Sequence, residues 1–251
     1  MNKEKIIVAL DVATAEEARR IIAELRFEVG AFKIGLQLFT AAGASFVRET
    51  IQAGLKLFLD LKFHDIPNTV AKASIEAARL GVWMFNVHAL GGGEMMRKTV
   101  ESVREICEKE NLIQPKIIGV TVLTSANQET LREVGIETET QEQVLSLARL
   151  AAKCGLDGVV ASPLEIETIR ATIEKKDFLI VTPGIRSEAQ KANEGQNKLG
   201  TFDDQKRVMT AKEAVAAGAD YLVVGRPILQ ATDKVSAARK IIEEIETTEN
   251  F

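Results

Sequence analysis

The chain has 251 residues, of which 46% are hydrophobic and 27% are charged, and this is enough to bury one substantial core. The net charge of −4 argues against a nucleic-acid-binding protein, since such domains usually carry a basic excess. No signal peptide precedes the first predicted strand, and no apolar run reaches the roughly 18 residues of a membrane span. We therefore expect a cytoplasmic protein. Cys107 and Cys154 follow no metal-binding spacing and are expected to be small buried hydrophobic residues.

Strand-like apolar runs alternate with helix-like segments along the whole chain. Gly54, Gly81, Gly155 and Gly218 each end a helical segment directly before an apolar run. Eight such units predict an α/β protein, a single (β/α)8 TIM barrel over residues 1–251. The alternative is an open doubly wound sheet, whose usual glycine-rich turn after the first strand is absent here. The predicted strands are Ile6–Leu10, Ala31–Gly35, Leu57–Leu61, Met84–Val87, Lys116–Thr121, Gly158–Ala161, Leu179–Val181 and Tyr221–Val224.

One long segment interrupts this alternation. From Arg186 to Lys206 the chain is polar and shows no apolar period. The segment follows the seventh predicted strand, on the face where barrel active sites form. Its length predicts a lid loop or a disordered segment.

Polar residues stand at or just past the ends of several predicted strands, where a barrel brings side chains together at one mouth. These residues are Asp11, Lys33, Asp60, Lys62, Thr121, Ser162 and Thr182. Ser162 precedes Pro163 and is expected to cap a helix, and Thr182-Pro183-Gly184 is typical of a turn. Thr14 is expected to cap the first helix.

The most informative segment is the ten-residue block from Asp60 to Thr69. Asp60 and Lys62 share one face of a strand because side chains alternate, and Asp65 follows in the turn. Two carboxylates and an ammonium are costly to bury at a strand end, so the cluster indicates chemistry. With Asp11 and Lys33 it forms an alternating array suited to stabilising and protonating a developing carbanion. The alternative is a set of salt bridges that closes the top of the barrel.

A phosphate site is indicated just after the eighth predicted strand. Gly225 allows backbone N–H groups to approach an anion, and Arg226 supplies a planar fork of donors. Barrels often bind phosphate at this position, although the dipeptide alone also fits a plain turn.

His64 and His88 are the two histidines, and His88 is expected to be a hydrogen-bonded structural residue. Asp60, His64 and Asp65 could be considered as metal ligands. Lys62 lies among them and would repel a divalent cation, so a metal-free site is favoured.

With the motif Asp60-x-Lys62-x-x-Asp65-Ile66-x-x-Thr69, the chain closely resembles the orotidine 5′-phosphate decarboxylase family. The resemblance extends over the whole length and rests on an ordered set of motifs. These are Leu10-Asp11, Phe32-Lys33-Ile34-Gly35, the block from Asp60 to Thr69, His88-Ala89, Val120 to Ser125, Thr182 to Arg186, Asp203 to Arg207 and Val224-Gly225-Arg226.

This resemblance implies a barrel that is a homodimer and uses no cofactor and no metal. It implies conversion of orotidine 5′-phosphate to UMP and CO2, the last step of de novo pyrimidine synthesis, with no nucleic-acid or membrane partner. In this family pattern Lys62 donates the proton to C6, and Asp60 lies near the departing carboxylate. Lys33 links Asp60 to the ribose, while Asp65 and Thr69 reach into the neighbouring subunit's site.

The resemblance also implies the substrate contacts. Asp11 binds the ribose hydroxyls and Thr124 contacts the edge of the pyrimidine. The phosphate group is held by Gln205, Gly225 and Arg226, with Arg186 also reaching the ligand from the lid.

One departure from the family pattern concerns the lid, which carries an insertion of roughly ten residues around Lys191 to Thr201 compared with short bacterial members.

Two other functions are considered. Sugar-phosphate decarboxylases and synthases share Asp-x-Lys-x-x-Asp and often use magnesium, but Ile66 to Thr69, and Lys33 in place of a metal carboxylate, argue against them. A nucleotide sensor without catalysis is disfavoured because every charged position of the array is present.

Overall fold

The computed structural model describes residues 2–186 and 208–246 and contains a closed barrel of eight parallel strands. Around the barrel the eight strands follow their order along the chain, and the last of them, Tyr221–Val224, closes the ring against the first, Ile6–Ala9. The strands are β1 (Ile6–Ala9), β2 (Ala31–Gly35), β3 (Leu57–Phe63), β4 (Met84–His88), β5 (Lys116–Val120), β6 (Gly158–Val160), β7 (Leu179–Thr182) and β10 (Tyr221–Val224). The predicted (β/α)8 barrel is confirmed.

Helices connect the strands and cover the outside of the barrel. The α-helices are α1 (Ala15–Leu25), α2 (Leu36–Gln52), α3 (Pro67–Leu80), α4 (Gly92–Glu110), α5 (Gln128–Glu133), α6 (Thr140–Lys153), α7 (Ile166–Thr172), α8 (Ala211–Ala216), α9 (Arg226–Leu229) and α10 (Lys234–Glu246). Short 3-10 helices cover Asn2–Lys5, Ala89–Gly91 and Pro163–Glu165. No helix among the described residues is both long and apolar enough to cross a membrane.

The predicted start and stop signals of the helices are confirmed. The hydroxyl of Thr14 accepts a hydrogen bond from the Glu17 amide at 3.2 Å, and that of Ser162 accepts one from the Leu164 amide at 3.3 Å. All four glycines predicted to end helices have positive φ, for example 82° at Gly81. Local hydrogen bonding and left-handed backbone geometry therefore fix where these helices begin and end.

Two apolar layers hold the fold together. Inside the barrel, alternate strand residues pack into a small inner core of Ile7, Ala9, Ala31, Phe58, Met84, Ile118, Val181 and Val223. The intervening strand residues face the helices and join a much larger outer core, in which Cys107 and Cys154 are buried as predicted. Because the inner core fills the lower barrel, polar side chains gather above it, at the carboxyl ends of the strands.

Several strand ends differ from prediction by one or two residues. The largest difference is at β3, which continues to Phe63 instead of ending at Leu61. A short parallel pair, β8 (Ile185–Arg186) with β9 (Met209–Thr210), was not predicted. The predicted lid begins at Arg186, which lies in β8. Its remaining residues, with the insertion at Lys191–Thr201, lie outside the described residues.

Candidate active site

An open cavity of about 230 Å³ lies at the carboxyl ends of the barrel strands. Its floor is apolar and includes Phe58, Val160 and Val223. Its walls carry eight of the residues predicted to form the site: Asp11, Lys33, Asp60, Lys62, Thr124, Arg186, Gly225 and Arg226. The structure therefore brings residues from distant parts of the sequence to one concave surface.

The charged array on the β1–β3 side of this cavity is continuous. Asp60 lies between the two lysines, with Oδ1 at 2.6 Å from Lys62 Nζ and Oδ2 at 3.1 Å from Lys33 Nζ. The second carboxylate near Lys33 belongs to Asp11, with Oδ1 at 3.5 Å from Nζ. Space for the Lys33 ammonium depends on Gly35, where a Cβ would lie 3.1 Å from that nitrogen. The order along the array is Asp11, Lys33, Asp60, Lys62.

The two innermost groups of the array, Lys33 and Asp60, are both only 8% exposed. Burial alone would raise the pKa of Asp60, but the charges of Lys33 and Lys62, with hydrogen bonds from Lys62 and Asn86, lower it to about 2. Burial alone would lower the pKa of Lys33, but the carboxylates of Asp60 and Asp11 together outweigh it and raise the pKa. At neutral pH the array therefore keeps Asp60 ionised and Lys33 protonated.

Lys62 is held in an unusual backbone conformation, with φ at 52°. Left-handed geometry is rare for a residue with a side chain and persists where neighbouring groups impose it. The register between β3 and β4 also shifts between Leu59 and Phe63, so Lys62 lies within a bulge. Its side chain is 31% exposed, which leaves the ammonium accessible from the cavity.

Asn86 is a site residue that sequence reasoning did not identify. It lies on β4 and is 1% exposed. Its side chain donates to Asp60 Oδ1 at 2.7 Å and accepts from the Lys62 backbone amide at 2.8 Å. The available signal was an asparagine in the middle of an otherwise apolar strand.

Asp65 and Thr69 do not line the cavity of their own chain. Both are exposed, and the Asp65 carboxylate accepts a hydrogen bond from the adjacent Ile66 amide at 2.6 Å. Ile66 itself is 67% exposed. The structure therefore places these residues on the surface beside the mouth and leaves their predicted role in a neighbouring site as a prediction.

Three of the predicted phosphate residues, Gly225, Arg226 and Arg186, line the same cavity as the lysines. Gly225 and Arg226 follow β10, and a Cβ at Gly225 would lie 3.4 Å from Asp11 Oδ2, so the glycine allows close packing here. Arg186 is 6% exposed and donates to the Ile185 carbonyl at 3.1 Å. Gln205 lies outside the described residues.

The prediction that His88 is hydrogen bonded is wrong for one ring nitrogen. Its Nδ1 is buried and has no hydrogen-bond partner among the described residues. The ring instead stacks on His64, with 5.3 Å between centroids. Burial, followed by the charges of His64 and Lys62, lowers the pKa of His88 to about 4.

Two threonines predicted near the strand ends do not line the cavity. The Thr121 hydroxyl donates to the Val160 carbonyl at 2.9 Å, and Thr182 is fully buried. Among residues 2–186 and 208–246, no group of three or more His, Cys, Asp or Glu side chains is arranged to hold a metal ion.

Comparisons with known proteins show which family the chain belongs to. Residues 4–241 match the model of the orotidine 5′-phosphate decarboxylase / HUMPS family. The chain is 52% identical over 243 residues to an orotidine 5′-phosphate decarboxylase of Syntrophotalea carbinolica, covering 97% of this chain and 95% of that protein. It is 53% identical over 243 residues to one from Geobacter sulfurreducens, covering 97% and 96%.

A solved structure of orotidine 5′-phosphate decarboxylase from Lactobacillus acidophilus superposes with a TM-score of 0.81 at 37% identity, covering 96% of this chain and 98% of that one. One from Pyrococcus horikoshii gives 0.73 at 27% identity, covering 96% and 99%. These matches span the barrel and the cavity together. The chain belongs to the orotidine 5′-phosphate decarboxylase / HUMPS family.

Proposed function

We propose that this chain decarboxylates orotidine 5′-phosphate to UMP and CO2, the last step of de novo pyrimidine synthesis, and that Lys62 donates the proton to C6. The observation that carries the proposal is the Lys62 ammonium at 2.6 Å from Asp60, facing an open cavity. A fixed ammonium stabilises negative charge that develops beside it, and it can then protonate the resulting carbanion.

Asp60 has two roles in this mechanism. It stays ionised and keeps the ammonium of Lys62 in place before the substrate binds. After the proton leaves Lys62, the neutral amine lies beside a carboxylate, which favours recovery of a proton from solvent. Lys33 balances the buried charge of Asp60 on its other oxygen and extends the array towards the ribose.

The lysine alone does not supply the whole acceleration. Each tenfold gain in rate corresponds to about 1.4 kcal/mol, so ten powers of ten need about 14 kcal/mol. Contacts to the remote phosphate, proposed for Arg226, Gly225, Arg186 and Gln205, contribute when they are fully made only in the transition state. Asp11 is proposed to bind the ribose hydroxyls, and Thr124 the edge of the pyrimidine.

The direct test of the proposed reaction is turnover of orotidine 5′-phosphate by the purified protein in excess chelator, followed by UMP formation. We expect turnover without added metal. Absence of UMP with and without magnesium would contradict the proposal. Turnover of a sugar phosphate, dependent on magnesium, would instead favour the related decarboxylases and synthases.

We further propose a homodimer in which Asp65 and Thr69 complete the neighbouring site. This is supported by the surface position of both residues beside the cavity mouth and by the exposed Ile66 between them. A two-fold dimer can exchange identical segments between two sites in this way.

Mixed dimers test the shared site. Lys62→Ala and Asp65→Ala chains are each expected to be nearly inactive. Dissociation and random reassociation should restore about a quarter of the unsubstituted activity, because half of the dimers are mixed and each has one intact site. No recovery, with mixed dimers confirmed by native mass spectrometry, would rule out the shared site while leaving the reaction itself intact.

A further inference from the structure

Asn86 is a buried amide between two apolar residues of a barrel strand. It lies between Phe85 and Val87 on β4, and burying such a group is costly unless both of its polar ends are hydrogen bonded. Both ends have partners, because Nδ2 donates to Asp60 at 2.7 Å and Oδ1 accepts from the Lys62 amide at 2.8 Å. The side chain therefore connects the carboxylate of one array residue to the backbone of the next.

The chemistry of the partners fixes the orientation of this amide. An ionised carboxylate only accepts hydrogen bonds and a backbone N–H only donates them. Asn86 satisfies both with a single orientation of its side chain. An aliphatic residue could make neither bond, and an ionised carboxylate could make only the bond to the Lys62 amide.

The amide lies opposite the irregular part of β3. Leu59 pairs with Phe85 and Phe63 with Val87, so three residues of β3 face the single residue Asn86 on β4. In such a bulge the regular ladder is interrupted and a backbone donor is left over. The Asn86 carbonyl oxygen takes that donor at Lys62, whose φ is 52°.

We propose that Asn86 is a positioning residue, which holds the left-handed bulge at Lys62 and the carboxylate plane of Asp60 so that the ammonium enters the cavity in its reactive position. The inference deepens the proposed function and rests on it. Misplacing a reacting group by about 1 Å costs about a hundredfold in rate, so a hydrogen-bonded bridge at this point is large enough to be measured.

The first test is Asn86→Leu, which removes both hydrogen bonds. We expect kcat to fall about a hundredfold with KM changed less than about threefold, because the remote phosphate and ribose contacts remain. Thr99→Val is the matched control, since it removes one buried hydrogen bond to the Met95 carbonyl on α4, away from the cavity. It should lose stability and keep kcat. A kcat for Asn86→Leu within threefold of the unsubstituted enzyme would overturn the proposal.

The second test is Asn86→Asp. This variant keeps the size of the side chain, so it is available even if the leucine variant does not fold. At about pH 8 the introduced carboxylate repels Asp60, so kcat should fall more than a hundredfold. Once protonated, the same group donates to Asp60 as the amide did, and the loss should shrink at least about tenfold towards pH 5.5. A purely structural role predicts a loss that is the same at every pH, and that result would overturn the proposal.

A structure separates this proposal from the proposed reaction. In crystals of Asn86→Leu, or of Asn86→Asp grown at about pH 8 if the former does not fold, we expect Lys62 to leave positive φ or its Nζ to move by more than about 1 Å. An unchanged Lys62 would overturn the positioning role, even if the unsubstituted enzyme were shown to act on another substrate. Failure of the unsubstituted enzyme to form UMP would count against the proposed reaction alone.

Discussion

Two charged clusters lie at opposite ends of the barrel and differ in what their charges contact. At the carboxyl ends of the strands, Asp60 is bound mainly by the side chains of Lys33, Lys62 and Asn86. At the amino ends, Arg170 donates to the Gly218 and Phe178 carbonyls and to the Asp220 carboxylate, which also accepts from the Ile180 amide. The second cluster, here called the Arg170 clamp, connects backbone segments that enter β7 and β10.

The different contacts of the two clusters indicate that the Arg170 clamp serves stability and the array serves reactivity. The donors of the Arg170 clamp are used on backbone carbonyls and one carboxylate, so its contacts hold the fold. The array concentrates two ammonium groups and two carboxylates beside a cavity and leaves Lys62 accessible. Substitutions in the Arg170 clamp should therefore change the free energy of unfolding and leave kcat unchanged, whereas substitutions in the array should change turnover.

The largest effect is expected for Lys62→Ala. Removing the proposed proton donor should lower kcat by about four powers of ten. Folding should be nearly unaffected, because Asp60 keeps its contacts with Lys33 and Asn86. Steady-state kinetics measure kcat, and urea unfolding measures the free energy of unfolding. The matched control is Lys56→Ala, an exposed lysine paired with Glu4 at 3.0 Å, which should keep full activity. Near-native turnover of a folded Lys62→Ala protein would contradict the assignment of Lys62 as the proton donor.

The Arg170 clamp should show the opposite behaviour. Arg170→Ala removes the guanidinium donors from two backbone carbonyls and from the Asp220 carboxylate, which keeps the Ile180 amide. The free energy of unfolding should fall by about 2–3 kcal/mol, less than for a fully buried ion pair because both side chains are partly exposed. The folded fraction should keep its kcat. Arg239→Ala, which breaks an exposed pair with Glu28, should have a much smaller effect. A large loss of kcat in folded Arg170→Ala would contradict the claim that the Arg170 clamp affects stability and not turnover.

Acid titration sharpens the comparison at Asp60. Its pKa falls from an ordinary 3.8 to about 2 on folding. As the pH falls, Asp60 therefore takes up its proton in the unfolded chain before it does so in the folded protein. The stabilisation that the ionised carboxylate contributes, about 2 kcal/mol, is complete above about pH 4 and is lost as the pH falls towards 2. Urea unfolding between pH 2 and 5 should show this loss of stability. The Asp60→Asn variant should lack the part of the loss that comes from protonation of Asp60. An identical pH dependence in both proteins would contradict the assigned charge state.

A second pH-dependent effect is expected at His88. Its pKa falls from 6.5 to about 4 on folding, chiefly through burial, so the unfolded chain binds more protons between these values. Stability should rise with pH across this window, and His88→Asn should flatten the rise. His64→Asn is the control, since it removes the stacked ring and keeps the buried imidazole. The same slope in His88→Asn as in the unsubstituted protein would show that His88 does not titrate as described.

The sequence predicted the barrel and most of its site because those features depend on local patterns. Apolar runs located the eight strands, and residues at the strand ends converge on one mouth whatever the details of packing. The array at Asp11, Lys33, Asp60 and Lys62 follows from that convergence, and the structure places the four side chains together.

What the sequence did not predict depends on contacts between distant segments. The bulge at Lys62 arises from the register of β3 against β4, and no local pattern specifies a register shift. The role of Asn86 is visible only once its strand lies beside β3. The environment of His88 likewise depends on the ring of His64 and on burial by neighbouring elements.

A crystal structure with UMP bound tests the placement of Lys62 most directly. We expect the nucleotide in the cavity above Phe58 and Val223, its phosphate beside Arg226, and Lys62 Nζ within about 3.5 Å of C6. A nucleotide bound in the cavity with the Lys62 ammonium directed away from C6, or outside the occupied space, would contradict the proposed mechanism.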